Sequence, residues 1–431
     1  MAGGFPQRQM FRAWLTVLML CLLYALSMVD RYLLALLADP VTKSLGLNAT
    51  QMGLLLGIGF ALLYSLVGLP MAHLLDNGVR KRIVVFGVVI WSLSTVLSGF
   101  AADFPQLLLA RAGVAMGEAV LTPAAISMIG DLFEPEERAF PVAIYSAVAN
   151  VMSTAAFILG AAALQLATHW SGTVDLEPWR LTCIIVGVPG VGLAVLFAIL
   201  VKEPTRRAVV GEPAGERSSI GDVVAYLRDR WRFYLAFFVG MAVVGIQLLG
   251  TMVWATTLLT RDHALEPATA GYYFGLVGMP AGLAGAFTWA FLSGKCISSD
   301  RHDGPLIMML ACTLVGGVGA ALVVVSHSLG LALAGLALGV FALIPPTTVL
   351  ASMLIQDITP PRMQARLIAL HLLVVGLISY TLGPLLIGLY LDASADNSVG
   401  IGLALMAAAT CPIGILSFEV ARRNLWRRAA A

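Results

Sequence analysis

Asp30, Arg31, Arg111 and Glu118 stand inside stretches of sequence that are otherwise apolar. A charge at bilayer depth is costly, so such residues face a partner or a water-filled cavity and mark the route of an ion or a charged solute. Arg111 and Glu118 lie seven residues apart in "LLLARAGVAMGEAVLTPAAISMIGD". Seven residues are two helical turns, which puts both on one face about 10.5 Å apart along the axis. Ala115 and Thr122 continue that stripe, while Gly113 and Gly117 form a small-xxx-small pair on another side, where a neighbouring helix can come close. Asp30 and Arg31 are adjacent in "LLYALSMVDRYLLALLADP". Adjacent helical positions point about 100° apart, so Arg31 either reaches the same cavity as Asp30 or snorkels to the interface.

These residue types suit ion-coupled recognition. A carboxyl kept out of water favours its proton, and an arginine beside it favours the ionised form. Glu118 can therefore take a proton when an arginine is far and release it when the arginine returns. Arg111 stays charged and can alternate between a carboxylate and an anionic head group. The expectation is an Asp30–Arg111 interaction with Glu118 one step deeper. Glu118 and Asp30 would couple protons, and Arg111, Arg31 and Thr122 would contact substrate. The alternative is a static ion-pair network that ties two helices together.

Elements that position such charges must cross a membrane. The chain of 431 residues is 59% hydrophobic and 12% charged, against about 25% charged for a soluble chain. Apolar runs of about 20 residues span a hydrocarbon core. Twelve spans are expected, at about 11–38, 50–75, 80–102, 105–132, 138–168, 178–201, 231–260, 267–295, 304–327, 329–357, 362–392 and 398–423. Of the 26 Lys and Arg, Lys43, Arg180 and Arg261 fall on one side, Arg31 and Arg111 within spans, and the rest on the other side. By the positive-inside rule that richer side is cytoplasmic and holds both termini. The first span lacks a cleavage site and reads as retained. A net charge of +2 implies no nucleic-acid partner, and the five cysteines show neither metal spacing nor a disulfide framework. No cofactor or metal is expected.

The spans fall into two halves. Residues 1–202 would form one six-helix bundle, 203–230 a cytoplasmic linker, and 231–431 a second bundle. The linker ends in "SIGDVVAYLRDRW", an amphipathic helix at the inner interface, while 203–217 reads equally well as a solvated tether. "GDLFEPEERAFP" after span four resembles "QDITPPRMQARL" after span ten, aligning Asp131 with Asp357, and Gly160 in span five aligns with Gly383 in span eleven. Such duplication is the signature of transporters with a site between repeats near the midplane. The second half carries no mid-span charge. It offers Gln247, Thr251, Trp254 and Tyr380 as substrate contacts on an apolar-aromatic wall, and His371 as an interior, satisfied histidine. Pro345–Pro346 should kink span ten.

The short loop "AHLLDNGVRKR" between spans two and three resembles the signature loop of the major facilitator superfamily, Gly-x-Leu-Ala-Asp-Arg-x-Gly-Arg-Lys. Asp76, Arg80 and Lys81 match it, and Ala72, Asn77 and Val79 depart from it. The resemblance implies a twelve-helix, all-α polytopic membrane fold of two six-helix bundles. It also implies a conformational switch in which Asp76 and Arg80 pair with each other and with the end of span four near Asp131. Within residues 24–140, "MVDRYLLALLADP", "LNATQMGLLLGIGFALLYSL", "RAGVAMGEA" and "DLFEPEER" resemble the Spinster family of lysolipid and sphingosine-1-phosphate transporters. That resemblance places the family's head-group and proton residues on Asp30, Arg31, Arg111, Gly117 and Glu118; Ala112 stands where the family commonly has Gly.

The reading is a proton-coupled, alternating-access secondary transporter of an anionic lysolipid-like amphiphile, a monomer in the plasma membrane among membrane lipid. The alternative is a proton symporter of small organic anions such as sugar acids, whose first and fourth helices look similar. A channel would not need the duplication, and an enzyme would need a metal or nucleophile cluster that the scattered His and Cys do not form.

Overall fold

The computed structural model describes residues 7–206, 220–299, 301–325 and 328–426. Among these residues there is helix and no strand, and twelve helical stretches are long and apolar enough to cross a membrane. In chain order the helices are α1 (Gln7–Leu36), α2 (Ala38–Leu45), α3 (Ala49–Leu56), α4 (Ile58–Asn77), α5 (Arg80–Ser98) and α6 (Phe104–Glu118). They continue with α7 (Leu121–Leu132), α8 (Ala139–Val174), α9 (Pro178–Leu200), α10 (Ile220–Asp229), α11 (Trp231–Arg261) and α12 (Pro267–Ser298). The last are α13 (Gly304–Val325), α14 (Leu329–Pro345), α15 (Ala351–Ile358), α16 (Pro361–Ala393) and α17 (Val399–Trp426), with a π-helical turn, Pro346–Leu350, between α14 and α15. Hydrocarbon offers backbone groups no partner, so an all-helical chain satisfies them internally.

Three expected spans are interrupted. Span two breaks at Gly57 between α3 and α4. Span four breaks at Ala119–Val120, directly after Glu118. Pro123 accounts for the second break: it lacks an N–H and its ring crowds the carbonyl four residues back, that of Ala119. Span ten breaks at Pro345–Pro346, as those residues foretold.

The chain forms two compact units. One comprises Met1–Leu47, Gly59–Ala208 and Pro267–Tyr272; the other comprises Asn48–Ile58, Val209–Glu266 and Tyr273–Ala431. The units depart from a division at the linker in two segments, one of which is α3. Within the second unit α3 packs backbone-to-backbone on α16: a Cβ on Gly53 would meet the Pro384 carbonyl, and one on Gly388 the Ala49 carbonyl. Asp392 fixes this contact by accepting from the backbone N–H groups of Ala49 (2.9 Å) and Thr50 (2.8 Å) at the N-terminus of α3.

Each unit has its own core. Leu20, Val84, Trp91 and Phe197 are buried in the first, and Phe237, Leu306, Leu343 and Phe418 in the second. In the first unit the expected close helix approach is present. A Cβ on Gly117 would run into the Gly87 carbonyl oxygen, so α5 and α6 touch there through their backbones, and one on Gly113 would run into the Ser94 side chain.

Candidate functional site: a buried charge cluster in the first unit

The four charged residues come together where α1 and α6 meet, just before the break that ends α6. Their pairing differs from the sequence expectation. Arg31, not Arg111, holds Glu118: Nη2 donates to Oε2 at 2.8 Å and Nε to the same oxygen at 3.2 Å. Arg111 reaches no carboxylate oxygen. It donates to the main-chain carbonyls of Asp30 and Arg31, both at 3.3 Å, and its Nε has no hydrogen-bond partner. The Asp30 carboxylate, buried and without a hydrogen bond, lies with Arg111, Thr95, Ser98 and Cys183 around a cavity of about 20 Å³, room for a single water. The Thr95 hydroxyl is already given to the Trp91 carbonyl (3.0 Å). The expected Asp30–Arg111 side-chain pair is thus replaced by proximity and a main-chain contact, and the 100° step along α1 turns Arg31 toward Glu118.

Exposure ranks the four. The Arg31 side chain is 15% exposed and that of Glu118 0%; Asp30 and Arg111 are 2% and 4% exposed. Arg31 is therefore the most accessible of the four. Phe60 and Tyr64 of α4 hold it in place. The Arg31 guanidinium carbon lies 4.8 Å from the Phe60 ring centroid and 5.2 Å from that of Tyr64, and Arg111 lies 5.5 Å from the same Phe60 ring. A cation over an aromatic face is stabilised by about 0.5–2 kcal/mol, and Phe60 offers its ring to two cations. Sequence reasoning passed over both aromatics. Their spacing of one helical turn, in the span facing Arg31, was the available signal. Thr122 sits one turn beyond Glu118, with its hydroxyl 3.3 Å from that of Tyr145.

The residues expected on the second wall are packed within their own unit. Trp254 is 1% exposed, and its indole N–H donates to the Pro384 carbonyl at 3.0 Å, bracing α11 on α16. This corrects its expected place on a cavity wall. Gln247 is buried, with its Oε1 near Cys411 Sγ (3.7 Å) and its Nε2 without a hydrogen bond. Thr251 is buried, and Tyr380 is half-buried with its carbonyl against Gly57. His371 is interior as expected, but its Nδ1 is not satisfied: the ring packs against Phe237 and Phe238, and Nδ1 has no hydrogen bond.

Two of the expected switch residues meet. Arg80, 1% exposed, donates to the Asp131 carboxylate and the Ser127 hydroxyl through Nη1, to Glu203 through Nε (2.9 Å) and to the Pro204 carbonyl through Nη2 (3.0 Å). The Asp76 side chain lies outside the described residues. Glu203 and Arg206, expected in a linker, are pinned here: Glu203 also accepts from the Lys81 N–H, and Arg206 donates to the carbonyls of Leu75 and Gly78. In the second unit the repeat partner of Asp131, Asp357, holds His302 at 2.7 Å instead of an arginine. Among the described residues no group of His, Cys, Asp and Glu could hold a metal.

Comparison with known proteins agrees with this architecture. The profile of the Major Facilitator Superfamily matches residues 20–384. An MFS-type efflux pump of Mycolicibacterium smegmatis is 27% identical over 417 residues, 95% of this chain and 92% of that protein. A probable L-galactonate transporter of Escherichia coli K12 is 32% identical over 188 residues, 43% of this chain and 39% of the relative. The crystal structure of a bacterial homologue of the human lysosomal transporter Spinster superposes with a TM-score of 0.83 at 25% identity, covering 96% of this chain and 97% of that one.

Proposed function

The chain belongs to the major facilitator superfamily, and from that premise we propose that it moves an anionic, lipid-like amphiphile across the membrane together with protons, by alternating access. It is a multi-pass membrane transporter of small molecules, not an enzyme. The observation that carries the finer reading is the Arg31–Glu118 pair, inside a membrane-spanning stretch and accessible only from the arginine side. An anionic head group and the Glu118 carboxylate compete for one guanidinium. A proton on Glu118 ends that competition, so proton and anion favour each other's binding, and the coupling is reciprocal. Arg111, close behind and weakly held, adds a second positive charge to the same region, and Asp30 is the second carboxyl able to exchange a proton. Support for a lipid-like substrate is the resemblance to Spinster proteins together with the lack of mid-span charge in α11–α17. In this reading Arg80, Asp131 and Asp76 form the conformational switch, and the protein works as a monomer in the plasma membrane with both termini cytoplasmic.

A sugar acid is the second reading, favoured by the likeness to the L-galactonate transporter. One experiment addresses the coupling under either substrate. Equilibrium binding of lysophosphatidylglycerol and of galactonate is measured from pH 5 to 8 on the wild type and on Glu118→Gln. Wild-type affinity for the true substrate falls as pH rises, because the ionised carboxylate reclaims Arg31. Glu118→Gln binds at every pH with the affinity of the protonated form. A Glu118→Gln variant that keeps the wild-type pH profile would overturn the proton role.

A further inference from the structure

Beside the Arg31–Glu118 pair, toward the base-rich end of the first unit, lies a group of hydroxyl-bearing side chains. Thr122 of α7 shares a hydrogen bond with Tyr145 of α8 (3.3 Å). The Tyr145 ring stacks on Tyr24 of α1, with centroids 4.8 Å apart and planes at 24°. Tyr24 precedes Arg31 by two turns and so shares its face of α1. Tyr64 of α4 lies under the Arg31 guanidinium, and the phenols of Tyr24 and Tyr64 both lie within electrostatic range of the Tyr145 hydroxyl. Four hydroxyl-bearing side chains from four helices of one unit thus converge next to the anion contact. Tyr24, Tyr64 and Thr122 are partly exposed, and Tyr145 is buried behind them.

A hydroxyl pair uses one proton between two oxygens. Thr122 and Tyr145 therefore retain one O–H donor and several acceptor lone pairs. A bare carboxylate or phosphate can take the donor but has no proton for the acceptors. A ligand hydroxyl does both, and its carbon skeleton can lie against the apolar stack of Tyr24 on Tyr145. We propose that this cluster is a subsite for hydroxyl groups carried next to the substrate's anionic group, so that the transported compound is a hydroxylated anion. Two sources have this chemistry, a glycerol-bearing phosphate head group and a free polyhydroxy acid. The proposal rests on the reading of Arg31 as the anion contact.

The test compares, on the purified full chain, two lipids of equal charge and acyl length: lysophosphatidylglycerol and the analogue with a propyl group in place of the head-group glycerol and no hydroxyl on its backbone. Galactonate is the third ligand. The wild type binds the glycerol lipid about tenfold more tightly than the propyl lipid, the equivalent of about 1.4 kcal/mol. Tyr145→Phe and Thr122→Val each bring that ratio toward one by weakening the glycerol lipid, and Tyr24→Phe reads the same ratio should Tyr145→Phe fail to fold. Galactonate binding that is lost in the same variants assigns the subsite to a polyhydroxy acid. A wild-type ratio near one for the lipids without galactonate binding overturns the proposal, as does a ratio that survives the Tyr145→Phe/Thr122→Val pair. Arg31→Gln separates the two readings: it weakens both lipids together if Arg31 is the anion contact. If it changes neither while the hydroxyl preference persists, the anion contact fails and the subsite stands.

Discussion

Both units interrupt the fourth span of their half, and they do it with different chemistry. In the second unit the break is proline-made and closed. Pro345 leaves the Phe341 carbonyl without its helical donor, and the Trp289 indole N–H fills that place at 3.2 Å. The hydroxyls of Thr347 and Thr348 both donate to the Ile344 carbonyl (2.9 and 3.0 Å), and a π-helical turn carries the chain on. In the first unit the break follows Glu118, and next to it stand two arginines, two carboxylates and several buried polar atoms without hydrogen bonds. One break is satisfied locally and reads as a shaped structural bend. The other leaves Asp30 Oδ1 and Oδ2, Glu118 Oε1 and Arg111 Nε with capacity to spare, which is what a site that must exchange partners requires. Both units bury some polar atoms without hydrogen bonds, but only in the first do ionisable groups, Asp30, Arg111 and Glu118, gather beside the break, and unsatisfied buried groups are expensive.

The largest effect expected from this contrast is at the ion pair. Arg31→Ala leaves a buried carboxylate unpaired and should destabilise by about 3–5 kcal/mol. Adding Glu118→Gln removes the stranded charge and should restore most of the loss, even though neither variant binds the anion as the wild type does. Thermal melting of the two single variants and the double variant in detergent gives the coupling. A double variant no more stable than Arg31→Ala would mean that the pair is not the charge contact it is read to be. Next in size is the helix contact that sets α6. Gly117→Ala drives a Cβ into the Gly87 backbone and should cost about 1–3 kcal/mol. Gly130→Ala in α7, where a Cβ meets nothing within 4 Å, should be neutral or slightly stabilising. Equal melting temperatures for these two alanine variants would remove the claim of close packing.

How much of this was legible in the sequence depends on what each feature needs. The twelve spans follow from the lengths of apolar runs, which need no tertiary knowledge. The proline bend at 345–346 and the close approach at Gly113 and Gly117 follow from single residue types. The charges were visible as types in the wrong environment, but their partners were not: choosing Arg31 over Arg111 requires the azimuth of α1 against α6, which spacing along one helix does not supply. The interruption at Gly57 was hidden because a lone glycine in a span reads as packing. Glu203 and Arg206 read as solvated linker, since nothing in a charge run says that it folds back onto a buried arginine. Phe60 and Tyr64 looked like ordinary span residues until the guanidiniums were seen over their rings.

A smaller effect tests the closed break. Trp289→Phe keeps the ring and removes the donor that serves the Phe341 carbonyl, at a cost of about 1 kcal/mol. Loss of stability with transport intact fits a structural bend. A selective loss of transport at unchanged melting temperature would show that this break also works in the cycle, and the contrast between the units would weaken.

The smallest effect lies outside the spans, where the first unit ties α2 to α9. Glu177 accepts from the Ser44 hydroxyl at 2.7 Å, from Arg180 Nε at 2.8 Å and from the Trp179 indole at 3.0 Å. The Ser44 hydroxyl first, then Arg180 and Trp179, hold its carboxyl below the ordinary glutamate range. The sign follows from the direction. A carboxyl whose pKa is lower in the folded chain than in the unfolded one contributes stability above the unfolded value, and that stability is lost as pH falls through the folded value. Its side chain is about half exposed (49%), so solvent screening keeps the contribution to a few tenths of a kcal/mol. Melting curves from pH 6 down to pH 3 should therefore show a slightly steeper decline for the wild type than for Glu177→Gln, with the difference confined to the acid end. The functional pH dependence at neutral pH should be the same in both if, as proposed, it belongs to Glu118. A Glu177→Gln variant that changed binding between pH 5 and 8 would move the proton chemistry out of the charge cluster and into the loop.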